Sequence, residues 1–230
     1  MKNKSYIGIS FIILIFGIIF IPRIIERIKK DDVVRNDRMS LSNEINKEEA
    51  KSSLVIMGKA PSFKLTDQNN QTITEADYKG KVYVLEFFFS TCPSICPIMN
   101  KNMATLQEAF GSNPNFGIAS ISINPENDTP TVLKEHAKKV GVTNKNWHLL
   151  TGDKKYIFEL SNKGFNIFAG ESKEKVNGGF EHSGLFALID KNGNIRCRRD
   201  QQGNPILYYD GLEAAGVKAI KEDIQLLLNE

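Results

Sequence analysis

Two apolar runs constrain the fold of this 230-residue chain more than any other feature. "VYVLEFFFS" (residues 82–90) and "FGIASISI" (residues 116–123) are almost continuously apolar. Runs of this length are typical of strands covered on both faces, as in a parallel sheet. Helical patterns follow each run, and "GLFALIDKNGNIRCRRD" is typical of a β-hairpin that turns at residues 191–194. This order predicts an α/β domain with a mixed central sheet flanked by helices.

The loops that follow the two runs are the first places to look for a functional site. They read "TCPSIC" and "NPENDTP", and sites in such sheets form beyond the carboxyl ends of parallel strands. Pro97 suits the first turn of a helix, which places Cys96 at the helix cap and Cys92 in the preceding turn. The positive end of a helix lowers thiol pKa values. Asp128 or Thr129 is the predicted cap of the next helix.

The cysteine pair has a spacing that two kinds of chemistry can use. Thiolates bind soft metals and also carry out disulfide exchange, and three intervening residues permit both. A peroxiredoxin-type thiol would need P-x-x-x-T-x-x-C, but Leu85 and Phe89 occupy the proline and threonine positions. Spacing alone therefore leaves a redox pair, a metal site and a structural disulfide open.

His182 adds a third ligand candidate. Thioredoxin-type enzymes have two spacer residues and a cis-proline facing the dithiol. This chain has no proline between Pro130 and Pro205, and His182 lies at about the expected place. Two thiolates and an imidazole suit copper, whereas structural zinc sites normally have four protein ligands. We interpret Cys92, Cys96 and His182 as a Cys₂His metal site, with a thiol–disulfide role, zinc and a structural disulfide as alternatives.

The N-terminal residues predict a membrane anchor. Residues 5–22 carry no charge, and 18 apolar residues are just enough to span a bilayer as a helix. A cleaved signal peptide would have a shorter apolar core and an A-x-A site, and a buried core helix is a further alternative. We therefore divide the chain into an anchor (1–25), a polar spacer (26–53) and one globular domain (54–230).

The charge pattern bears on orientation and on partners. Lysines precede the predicted span, but Arg23, Arg27, Lys29 and Lys30 follow it, so the positive-inside tendency slightly opposes a domain outside the cytoplasm. The net charge of +3 gives no reason to expect nucleic-acid binding.

Four motifs in this order, "TCPSICP", "NPENDTP", "NWHLLTG" and "EHSGLFALIDKNGNI", resemble those of the Sco (SenC, PrrC) proteins. These are membrane-anchored, thioredoxin-fold copper chaperones for cytochrome c oxidase assembly. The resemblance covers residues 60–211, most of the predicted domain. It implies a thioredoxin-like fold, and copper, as Cu(I), Cu(II) or both, bound by Cys92, Cys96 and His182.

The resemblance also implies a location and a partner. The domain would lie on the periplasmic or extracytoplasmic side of the cell membrane, held by a single span. Its partner would be the copper A-bearing subunit of a haem–copper oxidase, to which it would deliver copper or whose cysteines it would reduce. A metallochaperone rather than a turnover enzyme is the main expectation. A thiol–disulfide oxidoreductase, with Cys92 and Cys96 as the redox-active pair, and a redox or copper sensor are the alternatives.

One position departs from the family pattern. The motif D-P-x-x-D-T-P begins with an aspartate near the metal, and this chain has Asn124 there. An amide offers a neutral oxygen without a charge, so Cu(II) binding is expected to suffer more than Cu(I) binding.

The remaining candidates have structural interpretations. We expect Cys197 on a strand, His136 facing solvent from a helix, and His148 in packing or backbone bonding at a strand start. Met99 and Met103 have helical spacing, which favours the core.

Overall fold

The computed structural model describes residues 14, 16, 20–22, 54–172 and 179–230. The chain divides into two units, Met1–Ser52 and Ser53–Glu230, and the fold below is that of the second. The predicted anchor lies mostly, and the predicted spacer wholly, outside the described residues. Within those residues, no helix has the length and apolar character needed to cross a bilayer.

In its described residues, the second unit is built on a sheet of ten strands, which is mixed as the sequence predicts. Their spatial order is β1-β10-β9-β4-β5-β6-β2-β3, with β11 beside β10 and β12 beside β9. β7 and β8 form a separate hairpin. The strands are β1 (Val55–Lys59), β2 (Lys64–Asp67), β3 (Thr72–Thr74), β4 (Val82–Phe88), β5 (Phe116–Ser122), β6 (Trp147–Thr151), β7 (Ala169–Glu171), β8 (Phe180–His182), β9 (Leu185–Ile189), β10 (Asn194–Arg199), β11 (Pro205–Ile206) and β12 (Tyr209–Asp210).

The centre of the sheet is parallel and its flanks are antiparallel. β4 pairs with β5 in parallel, and β5 with β6, while β9 runs antiparallel to β4. Every residue of β4 and β5 is buried. The prediction of two neighbouring parallel strands covered on both faces is therefore confirmed.

In the described part of this unit, four α-helices accompany the sheet. They are α1 (Cys96–Phe110), α2 (Pro130–Val140), α3 (Lys154–Glu159), which continues into a π-helical turn (Leu160–Phe165), and α4 (Ala214–Asn229). Met99 and Met103 of α1 are fully buried, as expected. Burying such a side chain stabilises the fold by about 1.5–3 kcal/mol.

The two faces of β4 contact different elements. Phe88 stacks on His136 of α2, with ring centroids 5.5 Å apart, so one face lies toward the helices that follow β4 and β5. On the other face, Phe87 meets Phe165 of the π-helical turn at 6.1 Å. The ring of Phe89, just past the strand, packs at 5.4 Å against Phe180 of β8. The strand thereby connects the cysteine loop to the hairpin that carries His182.

Candidate metal centre

The cysteine loop begins where β4 ends. The N–H of Cys92 donates to the carbonyl of Phe89 at 3.3 Å, which turns the chain back over the strand end. Cys96 is the first residue of α1, and the helix cap is Ile95. The prediction that Cys96 caps the helix is thus wrong by one residue, whereas Pro97 lies in the first turn as expected.

His182 reaches the same place from the β7–β8 hairpin. It lies opposite Ala169 in the hairpin register, and its ring meets Phe89 edge-on at 5.8 Å. Its Nδ1 lies 3.2 Å from the carbonyl oxygen of Ser183. Since a carbonyl can only accept, Nδ1 is the donor in this contact, and Nε2 is the ring nitrogen that faces the cysteines.

The three predicted ligands come together in space. Their donor atoms all lie within 4.8 Å of one another, and Cys96 Sγ is 3.1 Å from His182 Nε2. Two donors that each lie about 2.3 Å from one ion can be at most about 4.6 Å apart. The three donor atoms are therefore nearly close enough to bind one ion together. Cys96 is 2% exposed and Cys92 is 8% exposed, whereas His182 is half-buried, so solvent reaches the cluster chiefly past His182.

The two thiols differ in acidity because they share a hydrogen bond. That bond from Cys96 lowers the pKa of Cys92 to about 3, against the opposing effect of burial, and His182 lowers it further. The pKa of Cys96 is raised, first because it is the donor in this bond and then by burial. Cys92 is therefore the thiolate and Cys96 the thiol that retains its proton. All three cysteines are free.

Lys154 of α3 fastens the hairpin that carries His182. Its ammonium pairs with Glu171 of β7 and, at 3.4 Å, with Glu126 in the loop after β5. The same ammonium lies 5.5 Å from the centroid of the Phe180 ring. One side chain thus joins the hairpin to the loop at the strand ends, and sequence reasoning missed it because its partners are distant in the chain.

Asp128 joins the two loops that follow the parallel strands. It is completely buried and accepts hydrogen bonds from the backbone N–H of Ser90 at 2.9 Å and the hydroxyl of Ser122 at 2.5 Å. The helix cap is Thr129, whose hydroxyl accepts from Val132. The interpretation of Asp128 as a cap is therefore wrong. Its role is to hold the cysteine loop against the "NPENDTP" loop.

Asn124 contributes backbone contacts to the same loop. Its N–H donates to the Ser122 hydroxyl at 3.1 Å, and its carbonyl accepts from the N–H of Asp128 at 2.8 Å.

Glu86 is a buried acid that sequence reasoning did not single out. It lies in the middle of β4 and is fully buried, which raises its pKa to about 7 despite a 2.7 Å hydrogen bond from the Ser120 hydroxyl. Ser120 also accepts from the indole of Trp147 at 3.0 Å. The second oxygen of Glu86, Oε2, has no hydrogen-bond partner. The signal in the sequence that could have revealed this buried acid is a glutamate inside the apolar run "VYVLEFFFS".

The other candidates are structural. Cys197 lies on β10, as expected, and is fully buried. His136 is half-buried, bonded to Asn100 at 3.2 Å and stacked on Phe88, so the prediction that it faces solvent is wrong. His148 lies 3.2 Å from Asp67, a side-chain partner that the sequence does not indicate.

Known proteins are similar to this chain in sequence and in fold. The SCO1/SenC family profile matches residues 57–215. The SCO1 protein homolog of Bacillus subtilis is 30% identical over 154 residues, which is 65% of this chain and 77% of that protein. A SCO2-like protein of Rickettsia typhi is 32% identical over 143 residues, which is 57% of this chain and 65% of that protein.

Solved structures agree with this comparison. A SCO1/SenC family lipoprotein from Bacillus anthracis has a TM-score of 0.65 and 29% identity, covering 77% of this chain and 98% of that one. BsSco, described as a Sco family cytochrome c oxidase assembly protein with a disulfide switch, has a TM-score of 0.62 and 26% identity over 75% of this chain and 95% of that one. Copper-bound Bradyrhizobium japonicum ScoI, at 22% identity and a TM-score of 0.56 over 74% of this chain and 99% of that one, shares the fold.

Fold and cluster together define a thioredoxin-like domain with two cysteines and a histidine at the edge of its sheet. The chain belongs to the SCO1/SenC family.

Proposed function

We propose that this protein is a membrane-anchored copper chaperone that acts in cytochrome c oxidase assembly. It binds one copper ion through Cys92, Cys96 and His182 and delivers it to the copper A-bearing subunit of a haem–copper oxidase. The observation that carries the proposal is the convergence of the three donor atoms within 4.8 Å. The relatives described as copper-bound and as oxidase assembly proteins support the choice of metal and pathway.

The donor set fits copper better than structural zinc. Two sulfurs and an imidazole are soft to intermediate ligands, which suit Cu(I). A structural zinc site would normally have a fourth protein ligand, and the described residues bring three metal-ligating side chains together here. Loading with copper requires Cys96 to lose its proton, whereas the lowered pKa of Cys92 leaves that ligand deprotonated at neutral pH.

The position of the site suits transfer to another protein. Cys92 and His182 lie at the surface side of the cluster, on a loop and a hairpin respectively. A partner thiolate can approach from that side and replace these ligands one at a time, while the more buried Cys96 holds the ion until last.

Copper transfer is tested by mixing the copper-loaded full chain, in detergent, with the metal-free soluble domain of a copper A subunit. The proposal expects copper, measured by metal analysis after the two proteins are separated, to pass to the copper A subunit from wild type and not from His182→Ala. A matched His136→Ala variant should behave as wild type. Equal transfer by wild type and His182→Ala would contradict the proposal.

A second candidate function, thiol–disulfide exchange, is favoured by the acidity of Cys92. The Cys92 thiolate would attack a disulfide of the oxidase subunit, forming a mixed disulfide and releasing one partner thiolate. Cys96 would then lose its proton and attack Cys92 Sγ, closing a Cys92–Cys96 disulfide and releasing the second thiolate. Two electrons pass to the partner. A His182→Ala variant that still reduced the partner's disulfide but bound no copper would assign this role to the dithiol.

We place the domain on the extracytoplasmic side, held by residues 5–22. The family resemblance and the description of the Bacillus anthracis relative as a lipoprotein support attachment to a membrane, against the weak charge pattern around the predicted span. Protease added to intact spheroplasts should degrade the domain. Protection until the membrane is lysed would contradict this placement.

A further inference from the structure

A cavity of about 630 Å³ opens at the end of the sheet where β4 begins. The cysteines follow the other end of β4, and a strand of seven residues is about 20 Å long. The cavity is therefore separate from the metal centre. We call it the tyrosine cavity, and its lining residues are Lys59, Ala60, Ser62, Glu75, Ala76, Tyr78, Lys79, Tyr83, Lys191, Asn192 and Gly193.

Two stacked tyrosine rings contribute to the lining. Tyr78 and Tyr83 lie with ring centroids 4.5 Å apart and planes 28° from parallel. The Tyr78 hydroxyl is committed to the protein, because it donates to the carbonyl of Ile118 at 2.9 Å. Both tyrosine side chains are 2% exposed, so their rings close the bottom of the cavity without offering an open aromatic face.

The Tyr83 hydroxyl has no such partner. The Tyr83 side chain is 2% exposed, and no hydrogen bond joins its hydroxyl to any described residue. Among the described residues, this hydroxyl is not one of the unpaired polar atoms that are closed off from solvent, so it opens onto the cavity. Burial raises the pKa of Tyr83, with Glu75 and Asp190 adding to the effect. The phenol therefore stays protonated and offers a hydrogen-bond donor to whatever enters.

The walls carry a net positive charge. Three lysines and one glutamate line the cavity, which gives +3 − 1 = +2. Lys59 uses one donor on the carbonyl of Asn192 at 2.6 Å, and Lys191 uses one on the carbonyl of Leu228 at 2.9 Å. An ammonium has three donors, so both keep donors for a ligand. The one carboxylate, Glu75, accepts from the N–H of Phe63 at 3.0 Å.

We propose that the tyrosine cavity binds a phosphate monoester. A monoester carries between one and two negative charges near neutral pH, which suits a lining of +2. Its oxygens accept from the Tyr83 hydroxyl and from the lysines. The cavity has the size of a small-molecule site, which ranges from about 300 to 1,000 Å³, and is much larger than bare phosphate requires.

The same phosphate chemistry has two sources, a soluble metabolite and a lipid headgroup. Phenyl phosphate is the soluble probe, titrated by calorimetry into the full chain in a neutral detergent. For the lipid source, the chain is reconstituted in phosphatidylcholine nanodiscs with and without phosphatidic acid, and phenyl phosphate is titrated again. Loss of phenyl phosphate binding only where phosphatidic acid is present identifies the headgroup as the occupant. Unchanged binding identifies a soluble ligand.

Variants test the assigned contacts. We expect saturable binding of one phenyl phosphate, weakened at least about tenfold by Tyr83→Phe and by Lys79→Ala, and unchanged by Lys134→Ala, an exposed lysine on α2. Copper titration of the same samples should be unaffected, which keeps this test independent of the proposed function. Absence of saturable binding to wild type, or binding that survives either cavity substitution, would overturn the proposal.

Discussion

Replacing Glu86 with glutamine should stabilise the protein in a pH-dependent way. Burial raises the folded-state pKa of Glu86 to about 7, from 4.5 for an unperturbed carboxyl. The folded protein therefore binds this proton more tightly than the unfolded chain does. Between about pH 4.5 and pH 7 the unfolded chain loses the proton first, so the wild-type free energy of unfolding falls as pH rises.

The size of the effect follows from the shift. The folded-state and unfolded-state pKa values differ by about 2.5, and one pKa unit corresponds to 1.36 kcal/mol. The full contribution to the free energy of unfolding is therefore on the order of 3 kcal/mol. Glutamine carries no titrating proton. The free energy of unfolding of Glu86→Gln relative to wild type should therefore rise by about this amount from pH 4 to pH 8, on top of a constant offset from altered hydrogen bonding.

The assay is urea denaturation of the reduced protein at half-unit pH steps. Glu108→Gln, at an exposed position of α1, is the matched control and should show no comparable rise. A difference between Glu86→Gln and wild type that stays flat with pH, or falls, would refute the assignment of Glu86 as a buried acid with a raised pKa.

Two further predictions concern the elements that hold the metal centre. Lys154→Met removes the ion pairs to Glu126 and Glu171 and should lower Cu(I) affinity several-fold in competitive titration. It should change the free energy of unfolding by less than about 1 kcal/mol, because partly exposed pairs contribute little; unchanged affinity would contradict the role of Lys154 in fastening the hairpin. Asp128→Asn weakens the charge-assisted bonds to Ser90 and Ser122 and should destabilise the protein by about 1.5–3 kcal/mol in urea denaturation. A loss of stability well below that range would show that an amide at position 128 accepts these hydrogen bonds equally well.

The sequence predicted the parts of the fold that depend on local pattern. The apolar runs became β4 and β5, and the hairpin signal became β9 and β10. His182 was found because a histidine lies where a dithiol fold usually has a proline.

What the sequence did not predict depends on contacts between distant residues. Asp128 was interpreted as a cap because Asp before Thr-Pro is a common helix start, yet its carboxylate lies within reach of Ser90, 38 positions earlier in the chain. The residues near Asp128 in the sequence do not indicate this contact. The same holds for His136, whose neighbours are lysines in sequence but Phe88 and Asn100 in space.

The central claim is that Cys92, Cys96 and His182 together bind copper. The most direct test is competitive Cu(I) titration of the reduced full chain in detergent, for wild type, His182→Ala and Cys96→Ser. His136→Ala and Cys197→Ser are the matched controls. The account predicts one tightly bound equivalent for wild type and both controls, with affinity lower by at least about 100-fold in the two site variants. Equal affinity in wild type and His182→Ala would contradict it.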